Sequence, residues 1–187
     1  MAAEAVPAGK LPADAIPERY ALSFRVDPRE DRFSGETHIQ VRLAKPADHV
    51  WLHADRLDIT KATVTTARGK TTDATMIPHA DVGVLEVRFG SVLPAQDIDL
   101  AFDYTAPFNA QLEGLYKVKV GDESYAITQM EPVSARFAFP GFDEPRFKTP
   151  FDITLTVPAD QVAVANTLEV SEKKSADGKW KTLSFAR

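Results

Sequence analysis

Tyr20-Ala21-Leu22-Ser23-Phe24-Arg25-Val26 sets large apolar residues at every second position, with small or polar residues between them. That period of two belongs to a strand buried on one face. Downstream, Asp27-Pro28-Arg29-Glu30-Asp31 has the residue types of a turn. The alternation then returns with Phe33, Thr37, Ile39, Val41 and Leu43, and Gly35 in its middle predicts a bulge or bend. Ile98, Leu100, Phe102 and Tyr104 keep the strictest alternation in the chain. Further strands are expected near Val50–His53, Leu57–Thr66, Val82–Phe89, Gly114–Val120, Ser124–Gln129, Phe151–Val157 and Leu183–Phe185. Lys45-Pro46-Ala47-Asp48, Gly121-Asp122 and Asp177-Gly178 separate them at the spacing of a sandwich or barrel. Only Val133–Ala138 suggests a helical turn, so the fold class is all-β.

Composition narrows the function. The 187 residues carry 44% hydrophobic and 26% charged side chains and a formal net charge of −5. That is an ordinary soluble globular balance with no basic footprint for nucleic acid. Cysteine is absent, which removes a disulfide framework and thiolate metal ligands. No apolar stretch approaches the length of a membrane span. Residues 1–10 lack a cationic start and an apolar core, and read as a disordered leader to a β domain over 11–187. The compartment stays open between cytoplasmic and periplasmic or secreted.

Residues 129–152 break the alternation. This irregular stretch holds Phe137, Phe139, Phe142, Phe147 and Phe151 among prolines and charges. A long aromatic loop in a small domain is functional or plugs an interface. Recognisable catalytic chemistry is otherwise missing. His49 and His53 lie four apart on an expected strand with no glutamate after His49, and His38 and His79 are isolated, so all four read as surface or strand histidines. No Gly-x-Ser-x-Gly elbow and no phosphate-binding glycine loop occurs, and the paired acids Asp97/Asp99 and Asp143-Glu144 read as turn residues.

The run TQMEPVSARFAFPGFDEPRFKTPFDITL resembles the signature of the N-terminal domain in the aminopeptidase N family of zinc metallopeptidases: Gln-x-Glu, Ala-Arg, Phe-Pro, Asp-Glu-Pro, Lys and Phe in order. Leu11-Pro12 with Pro17 and Tyr20, Phe33 with Gly35, and Glu113-Gly114-Leu115-Tyr116 extend the likeness from about residue 11 to the end. The resemblance implies a large saddle-shaped antiparallel β-sandwich packed on a downstream catalytic domain. That neighbour would carry a zinc held by His-Glu-x-x-His and a Gly-x-Met-Glu-Asn loop, neither of which occurs here. It also implies that this fragment lacks its last strand, leaving a sheet edge open, and is inactive alone. Glu131 matches the family glutamate that binds the free α-amine of a peptide substrate, and Gln129 the glutamine beside it. Two apart on a strand, they would share a face. The bland reading of Glu131 is a surface ion pair with Arg136. Arg136, Asp143, Glu144 and Lys148 read as an ion-pair and turn framework for the loop. The phenylalanines read as core or interdomain packing, and Gly141, where relatives often carry a side chain, as a point of loop freedom. A non-catalytic β-sandwich module that binds protein or carbohydrate is the alternative, and a downstream His-Glu-x-x-His would decide against it.

Overall fold

A computed structural model describes residues 5–187, and residues 1–4 of the expected leader lie outside it. Among the described residues the chain forms β1 (Ala15–Arg25), β2 (Arg32–Leu43), β3 (Ala47–His53), β4 (Asp58–Thr66), β5 (Thr71–Asp73), β6 (Thr75–His79) and β7 (Val84–Leu93). These are followed by β8 (Asp97–Pro107), β9 (Gly114–Val120), β10 (Glu123–Gln129), β11 (Phe151–Pro158), β12 (Glu169–Lys174) and β13 (Trp180–Phe185). The expected helical turn is a 3-10 turn at Ala135–Phe137, the sole helical element among the described residues. The all-β expectation holds.

The strands make an eight-stranded sheet in the order β12-β13-β11-β1-β2-β8-β4-β5, a three-stranded sheet β3-β7-β6, and the hairpin β9–β10. Alternation dictates the inner face. Tyr20, Leu22 and Phe24 of β1, Ile39 and Val41 of β2, and Leu100, Phe102 and Tyr104 of β8 are buried, while their neighbours face out. Val50 and Leu52 of β3 and Val84 and Val87 of β7 join the same apolar cluster, so the two sheets face each other across one core, as in a sandwich. One pairing departs from the antiparallel expectation. β1 runs parallel to β11, from Tyr20 opposite Phe151 to Arg25 opposite Thr156.

Gly35 is also a correction. The β2 register passes through it without a bulge, and Gly35 faces Tyr104 across the β2–β8 ladder. A Cβ there would lie 2.5 Å from the Tyr104 ring. The glycine makes room for a buried aromatic side chain whose hydroxyl reaches Thr37 at 3.1 Å. One edge of the large sheet is β12, Glu-Val-Ser-Glu-Lys-Lys, exposed at every residue. Charges along an edge oppose further strand pairing.

Candidate functional site: the 129–152 segment and its supports

β10 ends at Gln129, which lies opposite Gly114 in the hairpin register. Gly114 has φ +64°, and a Cβ on it would come within 2.7 Å of Phe137 Cβ and 3.0 Å of the Ser134 carbonyl oxygen. Both the backbone angle and the close approach require glycine here. The hairpin therefore butts directly against the 3-10 turn. After Met130 the chain turns through Glu131–Ser134, with the Ser134 N–H donating to the Met130 carbonyl at 2.8 Å.

Glu131 consequently sits in a turn and does not share a strand face with Gln129. What joins the two is a long hydrogen bond, 3.4 Å, from Gln129 Nε2 to the Glu131 main-chain oxygen. Glu131 is exposed. Its carboxylate has no ion-pair partner among the described residues, because Arg136 turns away from it and binds Asp143, Nε to Oδ2 at 2.8 Å. The expected bland pairing of Glu131 with Arg136 does not form. Glu131 instead opens onto a groove of about 550 Å³, walled by Met130, Phe139, Phe142, Phe147 and Phe151, with Lys148 on its rim. Gln129 does not line that groove.

The far wall is held by polar contacts that converge from three parts of the chain. Asp143 and Arg136 are mostly buried, and the Asp143 carboxylate also accepts from the Arg136 N–H at 3.3 Å. Glu144 accepts the Leu11 N–H at 2.7 Å, while Arg146 donates to the Leu11 carbonyl at 2.9 Å. Arg146 and Glu144 pair with each other at 2.7 Å, so the two side chains clip one residue of main chain from both sides. Tyr20 hydroxyl accepts the Phe142 N–H at 2.9 Å, and burial pushes its pKa up, keeping it a neutral phenol. The expected framework thus includes Arg136, Asp143 and Glu144, but not Lys148. Lys148 is exposed and makes no ion pair among the described residues.

Gly141 corrects the expectation of loop freedom. It is buried and exchanges two main-chain hydrogen bonds with His53, at 2.8 and 3.0 Å. His53 itself is a support that sequence reading passed over as a strand histidine. The residue is 1% exposed, with Nε2 3.1 Å from the Gly9 carbonyl and Nδ1 3.2 Å from the Asp143 N–H. The usable signal was a histidine continuing the apolar run Val50-Trp51-Leu52, where a buried polar ring must find partners. Of the phenylalanines, Phe139 and Phe142 are buried, Phe137 and Phe147 half-buried, and Phe151 exposed but stacked on Tyr20 at 4.7 Å.

Among the described residues no three His, Asp or Glu side chains converge to hold a metal. The residues here do not fit a zinc site. Nor is any helix long and apolar enough to cross a membrane among the described residues.

Residues 16–187 match the family model described as the Peptidase M1 N-terminal domain. The chain is 33% identical over 185 residues to a puromycin-sensitive aminopeptidase of Caenorhabditis elegans, covering 95% of this chain and 19% of that protein. It is 34% identical to aminopeptidase M1-D of Oryza sativa subsp. japonica, covering 88% and 19%. To the glutamyl aminopeptidase of Rattus norvegicus it is 30% identical, covering 95% and 20%. It spans about a fifth of the length of these relatives. With most of its length matched by one family model and its loop framework built from the residues of the signature, the chain belongs to the Peptidase M1 N-terminal domain family.

Proposed function

We propose that this chain is the N-terminal domain of a zinc aminopeptidase and supplies recognition of the substrate's free α-amine, while the metal and the reacting groups belong to the rest of the parent enzyme. The observation that carries the reading is Glu131. Its carboxylate has no ion-pair partner among the described residues, Arg136 being paired with Asp143 instead, and it opens onto an aromatic groove. An exopeptidase must recognise a terminal ammonium. A carboxylate does so through charge-assisted hydrogen bonds, which strengthen where a bound peptide and an apolar wall displace water. Gln129 is assigned to the same site through its bond to the Glu131 main chain rather than by lining the groove. In the parent enzyme the substrate would be a peptide with a free N-terminus, and a zinc held by residues outside this chain would supply the activated water.

The test is Glu131→Ala in the full-length enzyme. A hydrogen bond to a charged group is worth about 1.5–3 kcal/mol, so kcat/KM on free-amine peptides is expected to fall about ten- to a hundredfold with zinc content unchanged. Glu131→Gln is expected to lose less, and N-blocked substrates to be little affected. Unchanged turnover of free-amine peptides by Glu131→Ala would overturn the assignment.

A further inference from the structure

His53 stands where three separate parts of the chain meet. Strand β3 carries it, Gly9 of the N-terminal segment faces its Nε2, and Asp143 of the groove wall faces its Nδ1. The partners leave one protonation state. A backbone N–H only donates, so Nδ1 opposite Asp143 must offer a lone pair. A backbone carbonyl only accepts, so Nε2 opposite Gly9 must carry the hydrogen. A doubly protonated ring would set N–H against the Asp143 N–H and break that bond.

We propose that His53 is a positioning residue for the Glu131 groove, its neutral imidazole fastening both the wall Gly141–Asp143 and the N-terminal segment to β3. The role rests on the amine-recognition reading given above. The wall has few other anchors to this strand. The main-chain pair between His53 and Gly141 lies beside the ring, and the Asp143 N–H bond extends it by two residues. Phe142, between these two anchors, packs into the groove and meets Phe147 edge-on at 5.5 Å. The charged groups facing the ring are Arg136 from the 3-10 turn and Asp143 and Glu144 from the wall. Asp55 and Arg56 follow on its own chain, and Lys10 adjoins Gly9. Burial first, and then the Arg136 charge, oppose protonation more than the Gly9 carbonyl and the two carboxylates favour it. The fastening is therefore shut at neutral pH and opens only under acid.

Ring 15N spectra of this chain across a pH titration test the state of the unmodified protein. The expected result is the Nε2–H tautomer persisting below pH 6.5, with the Asp143 amide signal moving when the ring finally protonates. Ring titration at the ordinary value with an unmoved Asp143 amide overturns the proposal. Two substitutions then separate positioning from bulk. Asparagine can place an acceptor near the Nδ1 position, whereas glutamine reaches toward Nε2. Asp143 amide exchange is expected to quicken about tenfold in His53→Gln, the loss of one hydrogen bond, and to return close to the parent rate in His53→Asn. Equal exchange in the two variants counts against it.

In the full-length enzyme, His53→Gln is expected to raise KM for free-amine peptides several-fold with little change in kcat, and His53→Asn to restore it. If Glu131→Ala raises KM and His53→Gln does not, the histidine is structural only and the proposal fails. If neither moves KM, the amine-recognition reading has failed and takes the positioning role with it, whatever the Asp143 amide shows.

Discussion

Asp143 and Arg136 show how a loop of charged residues becomes rigid. Their side chains are 8% and 16% exposed and meet at 2.8 Å, with a second contact from the Arg136 main chain. Removing one partner of a buried pair leaves the other's charge uncompensated, at a cost of about 3–5 kcal/mol. Asp143→Ala is accordingly expected to lower stability by about 3 kcal/mol, measured by urea unfolding. Arg146→Ala, which breaks a more exposed pair, should cost about 1 kcal/mol. The residue types of Arg136, Asp143 and Glu144 announce an ion-pair framework in the sequence, but not which carboxylate meets which arginine. Glu131 and Asp143 were equally eligible for Arg136 by charge. The turn at Glu131–Ser134, packed against Gly114 of β9, and the fold-back of the wall, held to β3 and the N-terminal segment, decide the matter. Lys148 stands outside the framework for the same reason, since its neighbours in sequence are not its neighbours in space.

At the level of elements, the interior strands were legible and three others were not. β2 and β8 follow the period-two runs closely because each of their faces meets a different environment, whereas β9 and β11 lie where expected without alternating burial. The strands that sequence reading missed, β5, β6 and β12, are all at sheet edges. β5 is three residues long, β6 contains Pro78, and β12 is exposed throughout, so none has an alternating burial to write into its sequence. Proline is tolerated on edge strands and at bulges, as at Pro17 of β1, where its missing N–H costs no regular ladder bond. Gly35 marks no bulge, and the reason for a glycine there lies on β8, some seventy residues on, where Tyr104 fills the space above it. Alanine normally gains about 0.5–1 kcal/mol over glycine in a strand. Here the Cβ would overlap the Tyr104 ring, and overpacking a core costs about 1–3 kcal/mol. Gly35→Ala is expected to be destabilising on balance, by about 1–2 kcal/mol in thermal or urea melts. A stabilised variant would show that Tyr104 moves aside freely.

For the molecule as a whole, His53 gives stability a pH dependence of definite sign. Its folded pKa lies below the ordinary 6.5, mainly through burial. As pH falls below 6.5 the unfolded chain takes up a proton that the folded chain refuses, so stability is full above that point and declines beneath it. The carboxylates of Asp27 and Asp152, held below 3.8 chiefly by bonds to Arg29 and Arg187, add a separate loss at lower pH. Urea midpoints across pH 3–8 should therefore fall in two stages, and His53→Asn should erase the upper one. A single stage in the parent chain would contradict the buried, neutral histidine.

The parallel pairing of β1 with β11 reaches further than the architecture of one sheet. β1 lies in the middle of the large sheet, with β2 on one side and β11 on the other. On the ribosome its β2 partner emerges at once, but β11 follows about 125 residues later. At roughly 5–20 residues per second, the growing chain carries a half-paired, apolar strand for about 6–25 s. Throughout that interval Tyr20 lacks both its Phe151 stacking partner and the Phe142 amide, so the segment that shapes the groove is also the one that ends the nascent chain's exposure to misfolding.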